Sequence, residues 1–188
     1  MDSVYFQKIT GEKCYLSPIN PDDAARFTKW VNDLEVVQYT SLATVNLNVP
    51  NETEALNRLS REHHYTIVEK DRHQPIGSCG FMDLNQWDGT AEIGIFIGDK
   101  DFWNAGYGTE SMCLLIDYGF QYLNLENILL RVFDFNKRGQ ACYEKVGFKQ
   151  IGKRRNALKR FQSSHDIIYM DIIPGDFYKK YQSKLGLK

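Results

Sequence analysis

The stretch from Thr90 to Phe133 constrains the fold more than any other part of the chain. In Ala91-Glu92-Ile93-Gly94-Ile95-Phe96-Ile97 the odd positions are all apolar, while the even face carries Glu92, Gly94 and Phe96. That is the two-residue period of a strand with one face in a core. After a polar loop, Met112, Leu115, Ile116, Phe120 and Leu123 recur at helical spacing, so Tyr107 to Leu123 predicts a helix with one apolar face. Ile128, Leu129, Leu130 and Val132 then run on without strict alternation, and Asn127 to Phe133 reads as a fully buried strand. Strand, loop, helix and buried strand in succession call for a sheet with helices packed on it.

The flanking sequence extends this plan. Lys13 to Pro18 predicts a short strand, and Asn20-Pro21-Asp22-Asp23 starts a helix that runs to about Asn32, with Pro in the first turn and acids against the dipole. Leu42 to Asn51 is polar and aperiodic, a second helix begins near Asn51 or Thr53 and ends by His63-His64, and the region reads as a mobile lid. Tyr65 to Glu69, Pro75 to Asp83 and Thr90 to Ile97 form an antiparallel meander turned at Asp71-Arg72 and Asp88-Gly89. A helix from near Asn136 ends at Val146-Gly147, where the glycine suits a left-handed cap. Phe148 to Gln162 and His165 to Ile173 make a hairpin, and Gly175 to Leu185 is a weak terminal helix.

A chain of 188 residues without repeats or linkers is expected to form one domain, residues 1–188. Its 23 Lys and Arg nearly balance 24 Asp and Glu, which argues against nucleic acid or an anionic membrane as partner. No stretch reaches the roughly 20 apolar residues of a membrane span, and Met1-Asp2-Ser3-Val4 lacks a signal-peptide pattern, so the expected location is cytoplasmic. Cys14, Cys79, Cys113 and Cys142 are far apart and read as free, mostly buried thiols. His63, His64, His73 and His165 form no ligand set at metal spacing, so no metal is expected. Lys153-Arg154-Arg155 and Lys159-Arg160 read as a solvated hairpin face.

Chemistry concentrates in two segments. In Phe102-Trp103-Asn104-Ala105-Gly106-Tyr107-Gly108-Thr109, two glycines on alternate residues immediately precede a helix, which lets backbone N–H groups converge on an anion such as a pyrophosphate. The same pattern also makes an ordinary tight turn. In the segment from Asn136 to Phe148, Asn136 sits at a strand-to-helix junction with Tyr143 about two turns on, so both can face one groove. An N-cap asparagine and a packing tyrosine are the plainer alternative.

Taken together and in this order, the strand Ala91 to Ile97, the turn Trp103 to Thr109 and the helix segment Asn136 to Phe148 resemble the successive motifs of the GNAT superfamily of acyl-CoA N-acyltransferases. The resemblance runs from about Lys13 to Ile173. Ala91-Glu92-Ile93-Gly94, Phe102-Trp103-Asn104-Ala105-Gly106-Tyr107-Gly108-Thr109-Glu110 and Tyr143-Glu144-Lys145-Val146-Gly147-Phe148 are most similar to its RimJ/RimL-type branch. The implied fold is α/β (α+β), a mixed and largely antiparallel central sheet with helices on both faces. In it the fourth and fifth strands, Thr90 to Ile97 and Asn127 to Phe133, splay apart. One departure stands out: many members carry Arg or Gln three residues before the first glycine, where this chain has Trp103.

The resemblance implies an N-acetyltransferase that moves an acetyl group from acetyl-CoA to a primary amine, on a protein N-terminus or a small molecule. Trp103, Asn104, Ala105, Gly106, Tyr107, Gly108 and Thr109 would hold the cofactor's diphosphate. The backbone of Ile95, Phe96 and Ile97 would pair with its pantetheine arm and supply donors to the tetrahedral oxyanion. Asn136 would hold a pantetheine amide. Tyr143 would protonate or hydrogen-bond the departing sulfur, and Glu92 would take the amine's proton or merely order a water or bind the substrate's charge.

Two other functions compete. Gly106-x-Gly108-x-x-Ser111 approximates a dinucleotide-binding fingerprint, but about eight residues separate Ile97 from Gly106 and the third small position is Ser. A non-catalytic acyl-CoA sensor or interaction module is the second. No motif encodes the acceptor; the residues that choose it fall between Val31 and His64, with Tyr39 and Trp87 as aromatics that line its pocket or simply pack. The hairpin edge between Phe148 and Ile173 invites pairing with a second copy.

Overall fold

The computed structural model describes residues 4–185. The chain forms two compact units. One holds the residues up to Phe81 together with Gly94–Leu115, the other Met82–Ile93 together with the residues from Ile116 onward.

The first unit contains β1 (Ile9–Thr10), β2 (Cys14–Pro18), β3 (His64–Glu69), most of β4 (Gln74–Asn85) and the second half of β5 (Thr90–Ile97), hydrogen-bonded in that order. β1, β2, β3 and β4 are antiparallel, with Leu16 opposite Ile67 and Ile67 opposite Gly77. Tyr15, Leu16, Ile67, Val68 and Ile76 are buried in the core. β1 lies outside the sequence expectation, since two residues carry no readable period.

Three helices accompany these strands. Asn20 accepts a bond from Asp22 N–H at 3.0 Å, Pro21 opens a 3-10 turn, and α1 (Ala24–Val31) follows. α2 (Leu34–Val37) starts on Asp33, whose carboxylate accepts from Glu35 N–H at 3.0 Å. α3 (Val49–Leu59) begins two residues before Asn51, because Asn48 caps it through Asn51 N–H at 3.0 Å and Pro50 fits the first turn. Phe27, Trp30, Val37 and Leu56 pack in one apolar cluster, joined by Leu42 and Leu47 from the stretch expected to be a lid. Leu56 is fully buried, and truncating such a residue to Ala costs about 2–5 kcal/mol.

In the second unit the order is β4, β5, β6 (Asn127–Phe133), β8 (Ser163–Ile172) and β7 (Lys149–Arg160). β6 pairs antiparallel with β8, and β8 with β7. β5 on β6 is parallel, from Thr90 opposite Asn127 to Glu92 opposite Leu129, while β5 itself continues to Ile97 and β6 to Phe133. The β7–β8 hairpin turns at Phe161 and Gln162, with φ of 50° and 60°.

α4 (Tyr107–Tyr122) passes through both units, and α5 (Lys137–Val146) ends at Gly147, whose φ of 126° makes it the left-handed cap expected there. The terminal helix is shorter than expected: α6 covers only Pro174–Phe177. Beyond it Lys180 and Tyr181 N–H still bond to Phe177 O, but Ser183 and Lys184 after them bond sideways. Buried Asp117 accepts from Tyr178 O–H at 3.0 Å, Ser183 O–H at 2.9 Å and Lys184 N–H at 3.1 Å.

Candidate active site

The glycine turn is held from below. β5 is seated by two close approaches: a Cβ at Gly77 would lie 2.2 Å from Phe96 O, and one at Gly98 would lie 2.2 Å from the Trp30 ring. Gly98 and Asp99 both donate their N–H to Ile76 O, at 2.8 and 3.1 Å. Asp99 then caps a 3-10 turn over Lys100–Phe102. Trp103 follows, and its indole N–H donates to Ile97 O at 2.9 Å while the ring packs against the apolar cluster. At the position where the resemblance leads one to expect Arg or Gln, this chain thus uses an indole to fasten the loop to the end of β5.

Above this base the backbone opens. Asn104 and Gly106 have left-handed φ of 58° and 88°, and Glu110 N–H makes the first helical bond, to Gly106 O at 3.0 Å. The first turn of a helix presents N–H groups that have no helical acceptor. A Cβ at Gly106 would meet only Lys13 Nζ, at 3.9 Å, and one at Gly108 only Ile97 Cγ1, at 4.0 Å. Packing does not require a glycine at 108. Small residues facing unfilled space before a helix's positive end fit a bound diphosphate.

A further contact, absent from the sequence reading, anchors the turn. Glu110 accepts from the N–H groups of Glu12, Lys13 and Cys14 at 2.6, 2.9 and 3.1 Å, fastening the β1–β2 turn to the first turn of α4. Lys13 Nζ donates to Ala105 O at 2.9 Å. These groups lie about ninety residues apart in the chain, with no local pattern to connect them. Cys14, beside Glu110 and Ser111, has its thiol pushed up to about 12, chiefly by burial. It is an inert core residue.

The other expected residues stand in the second unit. Glu92 Oε1 accepts from Arg131 Nε at 2.7 Å; the carboxylate side chain is 12% exposed and the guanidinium side chain 50%. The sequence reading missed this partner, which the parallel register puts two residues beyond Leu129. Asn136 is buried and caps α5, its Oδ1 accepting from Gly139 N–H at 2.9 Å. Its Nδ2 is left over as a donor. Tyr143 is half-buried against Phe148, its phenol pushed up to about 12 by burial, and among the described residues its hydroxyl makes no hydrogen bond.

Other candidates serve elsewhere. Trp87 is 99% exposed and packs on nothing, and His73 Nδ1 lies 3.2 Å from the Tyr15 hydroxyl. Among the described residues no group of three or more His, Cys, Asp or Glu could hold a metal ion, and no helix is long and apolar enough to cross a membrane. A shallow cavity of about 460 Å³ lined by Tyr178–Ser183 contains none of the expected site residues.

Comparison with known proteins agrees with these motifs. The family model described as the acetyltransferase (GNAT) domain matches residues 13–149. Uncharacterized N-acetyltransferase p20 of Bacillus licheniformis is 28% identical over 94% of this chain and 99% of its own length. Putative ribosomal N-acetyltransferase YdaF of Bacillus subtilis is 32% identical over 50% of this chain and 53% of its own. Among solved structures, spermidine N-acetyltransferase from Vibrio cholerae, crystallised with CoA and spermine, aligns at a TM-score of 0.80 and 19% identity, over 89% of this chain and 99% of that one. With the mixed sheet flanked by helices also shared, the chain belongs to the GNAT acetyltransferase family.

Proposed function

We propose that the protein transfers the acetyl group of acetyl-CoA to a primary amine by direct attack. The observation that carries this reading is the glycine turn at the start of α4, where a Cβ at Gly106 or Gly108 would meet one side-chain atom each, at 3.9 and 4.0 Å. The family match from residue 13 to residue 149 runs through both compact units, which supports one catalytic domain; the cytoplasm is its proposed location. The similar spermidine acetyltransferase, whose crystals hold CoA, supports the cosubstrate.

In this reading the backbone amides of residues 104 to 109 grip the diphosphate, and the backbone of Ile95, Phe96 and Ile97 pairs with the pantetheine amides. A neutral amine attacks the thioester carbon, forming the C–N bond while N–H donors of that strand hold the oxyanion. Collapse breaks the C–S bond. Tyr143 gives its proton to the leaving sulfur and is reprotonated through water by the proton that the attacking nitrogen sheds as the amide forms, and Asn136 Nδ2 steadies a pantetheine carbonyl. An alkyl ammonium of pKa about 10.4 must first lose a proton. Glu92 serves that step through water; with Arg131 on Oε1, its second oxygen is the one offered.

The acceptor is a protein N-terminus or a small amine. The RimJ/RimL-like motifs and the ribosomal relative's name favour the former, and the polyamine enzyme's fold keeps the latter in view. The experiment is thiol release from acetyl-CoA across a panel of peptides with free N-termini, polyamines and amino sugars. Amine-dependent release is expected for one class. No release with any class, together with tight CoA binding, would favour the acyl-CoA sensor, and NAD binding in place of CoA would favour the dinucleotide enzyme.

A further inference from the structure

We infer that Lys13, on the turn between β1 and β2, is a diphosphate-binding residue that supplies the cation Trp103 does not. The inference rests on the acetyl-CoA reading above and assigns a residue to it. Trp103 sits where many relatives carry Arg or Gln, and its indole N–H is committed to Ile97 O. The turn would then offer backbone dipoles alone to a group bearing two negative charges. Lys13 reaches the same turn from another part of the chain. Its Nζ lies 2.9 Å from Ala105 O and 3.9 Å from where a Cβ of Gly106 would stand, so the ammonium is at the open face of the first glycine.

Its surroundings suit this role. Among the described residues Lys13 forms no ion pair; its partners are the Ala105 carbonyl and the face of the Tyr107 ring, 5.8 Å from the ring centroid. Two of an ammonium's three protons therefore remain for a ligand. The nearby carboxylate of Glu110 accepts from three backbone N–H donors, one of them from Lys13 itself, and from the Cys14 thiol at 3.4 Å. Glu110 thus acts as a positioning residue: it fixes the backbone from which Lys13 extends. Gly11 permits the arrangement, because a Cβ there would come within 2.7 Å of Glu110 Oε1.

The test is calorimetric binding of CoA and of 3'-dephospho-CoA to the whole protein and to Lys13→Met and Lys13→Arg. Lys13→Met should weaken both ligands about tenfold and flatten the salt dependence of binding, since one charge-assisted contact is lost. Lys13→Arg should bind within about threefold of the original chain. Equal weakening of the two ligands assigns Lys13 to the diphosphate. Weakening confined to CoA, or unchanged affinity in Lys13→Met, overturns the inference while leaving the transferase reading intact. If the unaltered protein binds neither ligand, the transferase reading itself fails. Thermal melting of each variant separates loss of binding from loss of fold.

Discussion

α4 follows β5 across the loop 98–106 and α5 follows β6 across residues 134–136, and the glycines at the two helix starts are placed differently. At α5 the chain closes the helix from within: Asn136 folds back onto Gly139 N–H, and Gly139 allows it, because a Cβ there would stand 2.6 Å from Asn136 Nδ2. At α4 the glycines are uncrowded: a Cβ at Gly106 would meet only Lys13 Nζ at 3.9 Å, and one at Gly108 only Ile97 Cγ1 at 4.0 Å. Neither a tight approach nor a left-handed φ demands a glycine at 108. The glycine at 108 is thus one that the protein's own packing does not call for, in keeping with the diphosphate site proposed above.

The largest expected effect lies on α5, at Tyr143. Its hydroxyl has no protein partner among the described residues, and burial pushes its pKa up to about 12, so the phenol keeps its proton through the whole working range. Tyr143→Phe should lower kcat about a hundredfold, within the range typical of a positioned acid, with acetyl-CoA affinity changed much less. The unaltered enzyme should show no alkaline fall in kcat from this group below about pH 10, since a raised phenol pKa moves that limb upward. An unchanged kcat in the Phe variant removes Tyr143 from the chemistry.

At Gly108 the effect should be smaller and split in sign. Gly108→Ala places a methyl group in space the protein leaves open and replaces a poor helix former, so melting temperature should hold or rise slightly. Acetyl-CoA affinity should fall about tenfold, equivalent to ~1.4 kcal/mol. A variant that gains stability and still binds acetyl-CoA normally would show that the open glycine has nothing to do with the cofactor.

The contrast between the two helix starts also explains what could be read from the chain. Alternation marked Thr90–Ile97, and an apolar run marked Asn127–Phe133, at the boundaries the structure has, but the second strand is not fully buried as expected: Ile128, Leu130 and Val132 are inside while Arg131 is exposed. Both signals are local. The pairing of Glu92 with Arg131, the reach of Lys13 to Ala105 and the seating of Gly77 on Phe96 join residues distant in sequence, and only the tertiary fold brings them together. The terminal helix is shorter than its local pattern suggests for the same reason: the bonds from Ser183 and Lys184 to Asp117 cross some sixty-six residues. The asparagine before α5 had two local readings, cap and ligand, and its geometry satisfies the first without using up the second.

The smallest expected effect separates those two roles of Asn136. Asn136→Ala removes the acceptor for Gly139 N–H and should cost about 1 kcal/mol, a fall of roughly 2–4 °C in melting temperature for a chain of this size. Asn136→Asp keeps a cap oxygen and adds a negative charge at the helix's positive end, so stability should be retained. It also abolishes the Nδ2 donor. If that donor holds a pantetheine carbonyl, the Asp variant should melt normally yet bind acetyl-CoA severalfold more weakly, by about one hydrogen bond's net worth. Should the Asp variant match the original chain in both measurements, Asn136 closes its helix and does no more, and the cofactor must be held by the open start of α4 without it.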